Sequence, residues 1–341
     1  MKKIAIVTDS VLHGGIARVA LTLLDMFKKN NYLCDIFTIY DKYKICDIPE
    51  ININGYNDSY FSRLYKIKKA IDKGSYSHVL ILTTGRLSIL FSPFALFLPY
   101  KKFVCEHISF ESYSTILKIL KKITYPVYKN IIVLTSHDLE LFTRNNIKTY
   151  CIHNPSPFEC QLTHKKDNKK RYLAIGHLIP RKGYKRLLEI WENYLISGGE
   201  GTLNIVGDGP MKDELLQIID DHHISRVKLI GSTKDMLNVY KDHDVLLCTA
   251  HAEGLPMTFI EAQSFSLPII SYDIKTGPSE IIIDGKNGFL IEDNNEEVFV
   301  KKMFLIENSK FYESLSRNSL ISSNNYSYDK IFSKWSALFN E

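Results

Sequence analysis

The stretch His251–Ile282, HAEGLPMTFIEAQSFSLPIISYDIKTGPSEII, decides how the rest of the chain is read. It follows an apolar run, Val245-Leu246-Leu247-Cys248-Thr249, which reads as a buried strand. A tight turn, Glu253-Gly254-Leu255-Pro256, leads into a segment that reads as a helix from Met257 to Phe265. The first N–H groups of a helix have no partner inside it, so such a strand–turn–helix unit offers an anion site. Glu253 lies in the turn, and Glu261 eight positions on, inside the helix. A carboxylate beside an anion pocket is costly unless hydroxyls or cations bind it. A sugar nucleotide answers both demands. Its diphosphate takes N–H groups and cations, and its sugar and ribose hydroxyls take carboxylates. The plain alternative is a solvated loop glutamate and a helix-surface charge.

Upstream, Tyr172–Gly176 reads as a strand, and the loop His177-Leu178-Ile179-Pro180-Arg181-Lys182-Gly183 runs into a helix over 184–196. Arg181 and Lys182 at a helix start oppose the macrodipole unless an anion sits there. Two cations and a helix N-terminus together suit a diphosphate. Leu203–Val206 and Val227–Ile230 read as further strands, the second followed by Gly231 and Ser232. Pro268–Ser271 is another, and Glu280 of Gly277-Pro278-Ser279-Glu280 begins a short helix. Asp242-His243-Asp244 looks like a metal-binding DxD motif, but it precedes its strand, at the end away from ligands in an open α/β sheet. Asp220-Asp221-His222-His223 falls at a helix end and reads as solvated. The pattern therefore asks for no metal, and Arg181 and Lys182 take that part.

The first half shows the same βα rhythm. Ile4–Val7, Cys34–Tyr40, Val79–Thr83, Phe103–Glu106, Ile131–Thr135 and Thr149–His153 read as strands, with helices over 61–73, 87–98, 113–123 and 136–145. Such alternation argues for a parallel sheet. Gly14-Gly15 opens a helix with apolar positions at Ile16, Val19, Ala20, Leu23, Leu24 and Phe27. The glycine pair serves a close ligand approach or simply a sharp turn. Arg18, in the following turn, adds a cation. A GxGxxG fingerprint is missing, which argues against a dinucleotide role here. Glu106-His107 closes a strand at the carboxyl end, where ligands bind in this fold class. The segment Tyr113–Tyr125 puts Lys118, Lys121 and Lys122 among Ile116, Leu117, Ile119, Leu120 and Ile123. It reads as an ordinary surface helix packed on the sheet, or as a basic helix lying on an anionic membrane.

A chain of 341 residues suits two domains. Asn154–Lys170 is polar, bears two prolines, ends in a basic cluster and reads as the linker. Residues 1–153 carry 21 Lys and Arg against 12 Asp and Glu, net +9, whereas 154–341 carry 22 against 26, net −4. The basic half suits anionic lipid, an anionic acceptor or nucleic acid, or is simply solvated. Six cysteines without metal spacing read as reduced thiols of a cytoplasmic protein. The opening Met1–Asp9 reads as a first strand rather than a secretory signal. The longest apolar run, Leu87–Pro99, falls short of the roughly 20 residues that cross a bilayer.

Glu253-Gly-Leu-Pro-(x4)-Glu261, with Pro180-Arg181-Lys182-Gly183, Gly277-Pro278-Ser279-Glu280 and Asp284–Leu290, closely resembles the retaining glycosyltransferases of family 4, which have the GT-B fold. The resemblance is strong over 172–292 and looser over 1–153. It implies an α/β chain of two facing Rossmann-like domains with parallel sheets and a cleft between them. These would be an acceptor-side domain at 1–160, a donor-binding domain at 171–325, and a helix at 326–341 returning to the first. It implies that Glu253 binds sugar hydroxyls and Glu261 the ribose, and that Arg181 and Lys182 hold the departing phosphates. Gly254, Leu255, Pro256, Met257, Gly14 and Gly15 would contact phosphate or sugar, and Gly231 and Ser232 the nucleobase. His107 would lie near the transferred sugar, with Glu106 and Arg18 on the acceptor side. His177 departs from the family, which often has an arginine there. The resemblance further implies a metal-independent, retaining transfer from a UDP-sugar to a polysaccharide or lipid-linked glycan, at the cytoplasmic face of the membrane and without a nucleic-acid partner. The Gly-Pro-Ser-Glu element points towards galactose or its N-acetylamine. Rivals are a nucleotide-sugar epimerase of the same form, a non-catalytic carbohydrate- or membrane-binding relative, and a nicotinamide oxidoreductase.

Overall fold

Short apolar runs alternating with amphipathic helices bury both faces only as inner strands of a parallel sheet covered by helices. This chain builds that arrangement twice. The computed structural model describes residues 2–12, 15–40, 58–144, 148–162 and 169–341. Gly14 of the glycine pair lies outside them. The first sheet contains β1 (Lys3–Thr8), β2 (Leu33–Thr38), β3 (His78–Thr83), β4 (Lys101–Glu106), β5 (Lys129–Val133) and β6 (Thr149–Cys151), in the order β2-β1-β3-β4-β5-β6. The second contains β7 (Arg171–Ile175), β8 (Thr202–Val206), β9 (Val227–Gly231), β10 (Val245–Cys248), β11 (Ile269–Asp273) and β12 (Gly288–Glu292), in the order β12-β11-β10-β7-β8-β9. Every ladder in both is parallel. The chain divides into Met1–Pro155 with Tyr328–Glu341, and Ser156–Ser327.

In the first unit, Ile4, Ala5, Ile6 and Val7 of β1 are wholly buried. The helix Tyr328–Asn340 belongs to this unit because its aromatic face completes the core. Trp335 and Phe339 pack on Phe27 at 5.9 and 5.8 Å, and Phe339 stacks on the His78 ring at 4.1 Å. Burial lowers the His78 imidazole from its usual 6.5 to about 4, so it is neutral at pH 7. In the second unit, Trp191, Tyr172 and Tyr194 pack together in the core, with ring centroids 4.9–5.7 Å apart.

Two expectations change. The first concerns the segment expected to link domains. Its residues 156–162 are packed onto the second unit: the Ser156 hydroxyl pairs with Ser264 at 2.8 Å, and Phe158 lies edge-on to Phe265 at 5.0 Å. Two aromatic and hydroxyl anchors outweigh the segment's polar composition. The second concerns the basic helix, which runs Thr115–Thr124 after a Ser114 cap. Ile116, Ile119, Leu120 and Ile123 are exposed, whereas Lys121 is fully buried. The inward face is set by an ion pair, not by the isoleucines. Among the described residues, no helix is long and apolar enough to cross a membrane.

Candidate functional site

The carboxyl ends of β7, β10 and β11 bring three loops of the second unit together, where ligands bind in open α/β sheets. Close backbone approach makes this possible. Gly183 has φ +69°, and a Cβ there would stand 2.0 Å from the Thr249 carbonyl oxygen. The Thr249 hydroxyl donates to the Gly183 carbonyl at 2.9 Å, tying the Arg181–Lys182 loop to the end of β10. Gly277, at φ +99°, plays the same part for the third loop, because a Cβ would meet the Gly254 carbonyl oxygen at 2.3 Å. The Thr276 hydroxyl donates to the Glu253 carbonyl at 2.5 Å. A β-carbon at either glycine drives these loops apart.

The charges meet at this junction. Lys182 Nζ donates to Glu253 Oε1, and Arg181 Nη1 lies 3.5 Å from Glu253 Oε2. Arg181 also donates to the Ala252 carbonyl at 2.6 Å, and its own carbonyl accepts from the His251 N–H at 2.8 Å. The side chains of Arg181, Lys182 and Glu253 are 49, 18 and 9 % exposed, so the cationic end faces outward. Beneath lies a cavity of about 20 Å³ between Lys182, Tyr184, Cys248, Thr249, Glu253 and Thr258, room for one water. Burial, reinforced by the Glu253 charge, raises the Cys248 thiol and keeps it protonated. The helix Met257–Ser264 starts after Pro256 without a side-chain cap, leaving its first N–H groups for an anion. Leu255 is buried and holds the turn down. The arrangement can bind an anion through two cations and backbone N–H groups, with a carboxylate at its side.

Other expected residues are placed as follows. Glu261 is buried within that helix, and its Oε2 accepts from the Tyr240 hydroxyl at 2.7 Å. Gly231 ends β9 at φ +82° with open space where a side chain would go, and Ser232 is exposed beside it. His177 turns its Nδ1 to the Asp208 carbonyl at 2.5 Å, so it braces a loop. Asp244 of the DxD-like triplet accepts from the Arg171 backbone N–H and guanidinium at 2.8–3.3 Å, a structural role at the amino end of β10.

Sequence reasoning missed Arg186, which fastens the site from below. Its guanidinium donates to the carbonyls of Thr249 and Ala250 at 2.5 and 2.7 Å and to Asp293 at 2.8 Å, over the Tyr272 ring. The available signal was an arginine among the apolar inward-facing positions of the helix Tyr184–Ile196. Thr276 and Tyr240 were also missed, since neither stands in a motif.

In the first unit, Gly15 begins the helix Gly15–Lys29, and a side chain there would meet nothing within 4 Å, so packing does not require glycine. Arg18 is half-buried in the first turn. His107 follows β4, its Nε2 buried without a hydrogen-bond partner. Burial lowers its imidazole to about 4, so it is neutral. Glu106 lies in a buried network. Its carboxylate accepts from Tyr113 at 2.5 Å, from Lys121 at 2.8 Å and from the Tyr125 hydroxyl, and is sealed from solvent. A buried carboxylate held by three donors anchors the helix Thr115–Thr124.

The chain is similar to known proteins in sequence and in fold. The family model for group 1 glycosyl transferases matches residues 159–321. The amylovoran biosynthesis glycosyltransferase AmsD of Erwinia amylovora is 31% identical, with 100% of each chain covered. A Campylobacter jejuni alpha-1,4-N-acetyl-D-galactosaminyltransferase, named for a diNAcBac-PP-undecaprenol-linked glycan, is 24% identical over 100% of this chain and 99% of its own. The crystal structure of Anabaena HepE in complex with UDP shares the fold at a TM-score of 0.82 and 18% identity, covering 100% of both chains.

Proposed function

This chain belongs to the group 1 glycosyltransferases with the GT-B fold, and from that premise we propose that it moves a hexose or N-acetylhexosamine from a UDP-linked donor, with retention, to a hydroxyl of a surface-polysaccharide or lipid-linked glycan. The observation that carries the reading is the convergence of Arg181, Lys182 and Glu253 beside the uncapped helix Met257–Ser264. The amylovoran and undecaprenol-linked glycans named for two relatives support the acceptor class, and the UDP of the HepE complex supports the nucleotide. The galactosaminyl relative and Gly277-Pro278-Ser279-Glu280 favour galactose or its N-acetylamine.

In this reading Arg181, Lys182 and the N–H groups of Leu255 and Met257 receive the diphosphate, with Gly254 and Pro256 shaping the turn. Glu253 accepts from sugar hydroxyls. Glu261, oriented by Tyr240, accepts from the ribose, and Gly231 and Ser232 flank the base. From the first unit, the neutral His107, the glycines Gly14 and Gly15, and Arg18 serve the sugar and acceptor. The bond from the anomeric carbon to the β-phosphate oxygen breaks as the acceptor oxygen bonds to the same face, and the acceptor proton passes to the departing phosphate. The two cations offset the growing negative charge by several kcal/mol, roughly, which makes a metal unnecessary. Transfer then persists in EDTA. The exposed Ile116, Ile119 and Ile123, beside the exposed Lys122, support docking of the enzyme on an anionic cytoplasmic membrane face.

A thermal-shift screen of UDP-galactose, UDP-N-acetylgalactosamine, UDP-glucose and UDP-N-acetylglucosamine should show one donor raising the melting temperature. NMR of the product should show the donor's anomeric configuration, and the opposite anomer overturns retention.

A further inference from the structure

Three charges share one junction, and only two of them suit a diphosphate. Arg181 and Lys182 are cations, and the third group, Glu253, is an anion already seated on both. Its carboxylate is not a loose side chain. The Glu253 carbonyl is pinned by Thr276, the neighbouring Gly254 carbonyl lies against Gly277, and the carboxylate is 9 % exposed. Phosphate oxygens that take Lys182 therefore compete with a nearly buried carboxylate for the same cation. A buried carboxylate without a partner is strongly unfavourable.

Two ligands face this demand differently. A nucleoside diphosphate brings phosphate oxygens and leaves Glu253 with no new donor. A nucleotide sugar brings the same oxygens together with hydroxyls that can donate to Glu253. We propose that Glu253 is an internal anion competing with the diphosphate for Arg181 and Lys182, so that the site discriminates the loaded sugar nucleotide from the bare nucleotide. The inference rests on the donor site argued above. It gives Glu253 a second task besides holding the sugar. Once the sugar has moved to the acceptor, Glu253 loses its hydroxyl partners, returns to Lys182 and Arg181, and displaces the diphosphate product.

The test is calorimetric titration of UDP and of uridine into the full chain, as wild type, Glu253→Gln, Glu253→Asp and Lys182→Met. Glu253→Gln removes the competing charge and should bind UDP about tenfold more tightly than wild type. Glu253→Asp draws the carboxylate back from Lys182 and should show a smaller gain. Uridine, which has no phosphate, should bind all the Glu253 variants as it binds wild type. Lys182→Met should weaken UDP about tenfold or more. UDP binding that is unchanged or weaker in both Glu253 variants overturns the competition while leaving the donor site standing. A uridine gain equal to the UDP gain overturns it too, because it reports a loosened pocket. If wild type does not bind UDP, or Lys182→Met leaves UDP affinity intact, the donor-site reading itself falls, and the competition with it.

Discussion

Each unit carries a lysine–glutamate pair near the carboxyl end of a parallel strand, and the two pairs have opposite fates. Lys121 and Glu106 are 0 and 2 % exposed, and two tyrosine hydroxyls complete the carboxylate's needs. Lys182 and Glu253 are 18 and 9 % exposed, with a half-exposed Arg181 alongside and a backbone turn instead of aromatic walls. The first pair is closed to solvent, and its partners are side chains of the same unit. The second keeps a cationic edge open to solvent. Identical residue types at similar topological positions thus become a structural clamp or a ligand site according to what fills the remaining valences.

That contrast can be broken by substitution. Lys121→Met leaves Glu106 charged and buried, and should destabilise the fold by about 3–5 kcal/mol in chemical denaturation. Lys182→Met should cost about 100-fold in transfer rate, near 2.7 kcal/mol, with a smaller loss of stability than Lys121→Met because Arg181 still lies beside the partly exposed Glu253. Equal loss of stability in both variants contradicts the distinction. Tyr125→Phe removes one donor from Glu106 and should cost about 1–2 kcal/mol of stability.

Acid sharpens the same comparison. A free histidine protonates near 6.5, but His78 and His107 do so at about 4. Between those values the unfolded chain binds protons that the fold does not, so stability is complete above about pH 6.5 and falls as pH drops towards 4. Both groups belong to the first unit. Hydrogen exchange at pH 5 against pH 7 should show protection lost first in β3 and Tyr328–Asn340, where His78 stacks on Phe339. Uniform loss in both units contradicts this. The smallest effect is expected at the surface. Changing Ile116, Ile119 and Ile123 together to serine should alter stability by no more than about 0.5 kcal/mol per site. The same change should reduce sedimentation with phosphatidylglycerol vesicles.

The second unit was more legible than the first, for a physical reason. Arg181, Lys182 and Glu253 stand in turns between a strand and a helix, where local spacing alone places side chains at the sheet's edge. The burial of Lys121 was not legible, because the periodicity of Ile116, Ile119, Leu120 and Ile123 marks an apolar face without deciding whether it turns to the sheet or away from it. Its true orientation depends on Glu106, a tertiary partner that no window around the helix contains. The partners of Glu106 were equally illegible, since Tyr113, Tyr125 and Lys121 reach this strand-end carboxylate only through the tertiary fold. Strand β12 was not anticipated, because Asn287-Gly288-Phe289 follows a turn and its run is short. It is fixed instead by pairing with β11 from Ile269–Gly288 to Asp273–Glu292.

The central claim is that Arg181 and Lys182 receive a diphosphate. The most direct measurement is a crystal structure of this chain soaked with UDP. The account predicts phosphate oxygens about 3 Å from the Arg181 guanidinium and Lys182 Nζ, beside the first turn of Met257–Ser264. Nucleotide density bound elsewhere, with Lys182 still on Glu253, would contradict it.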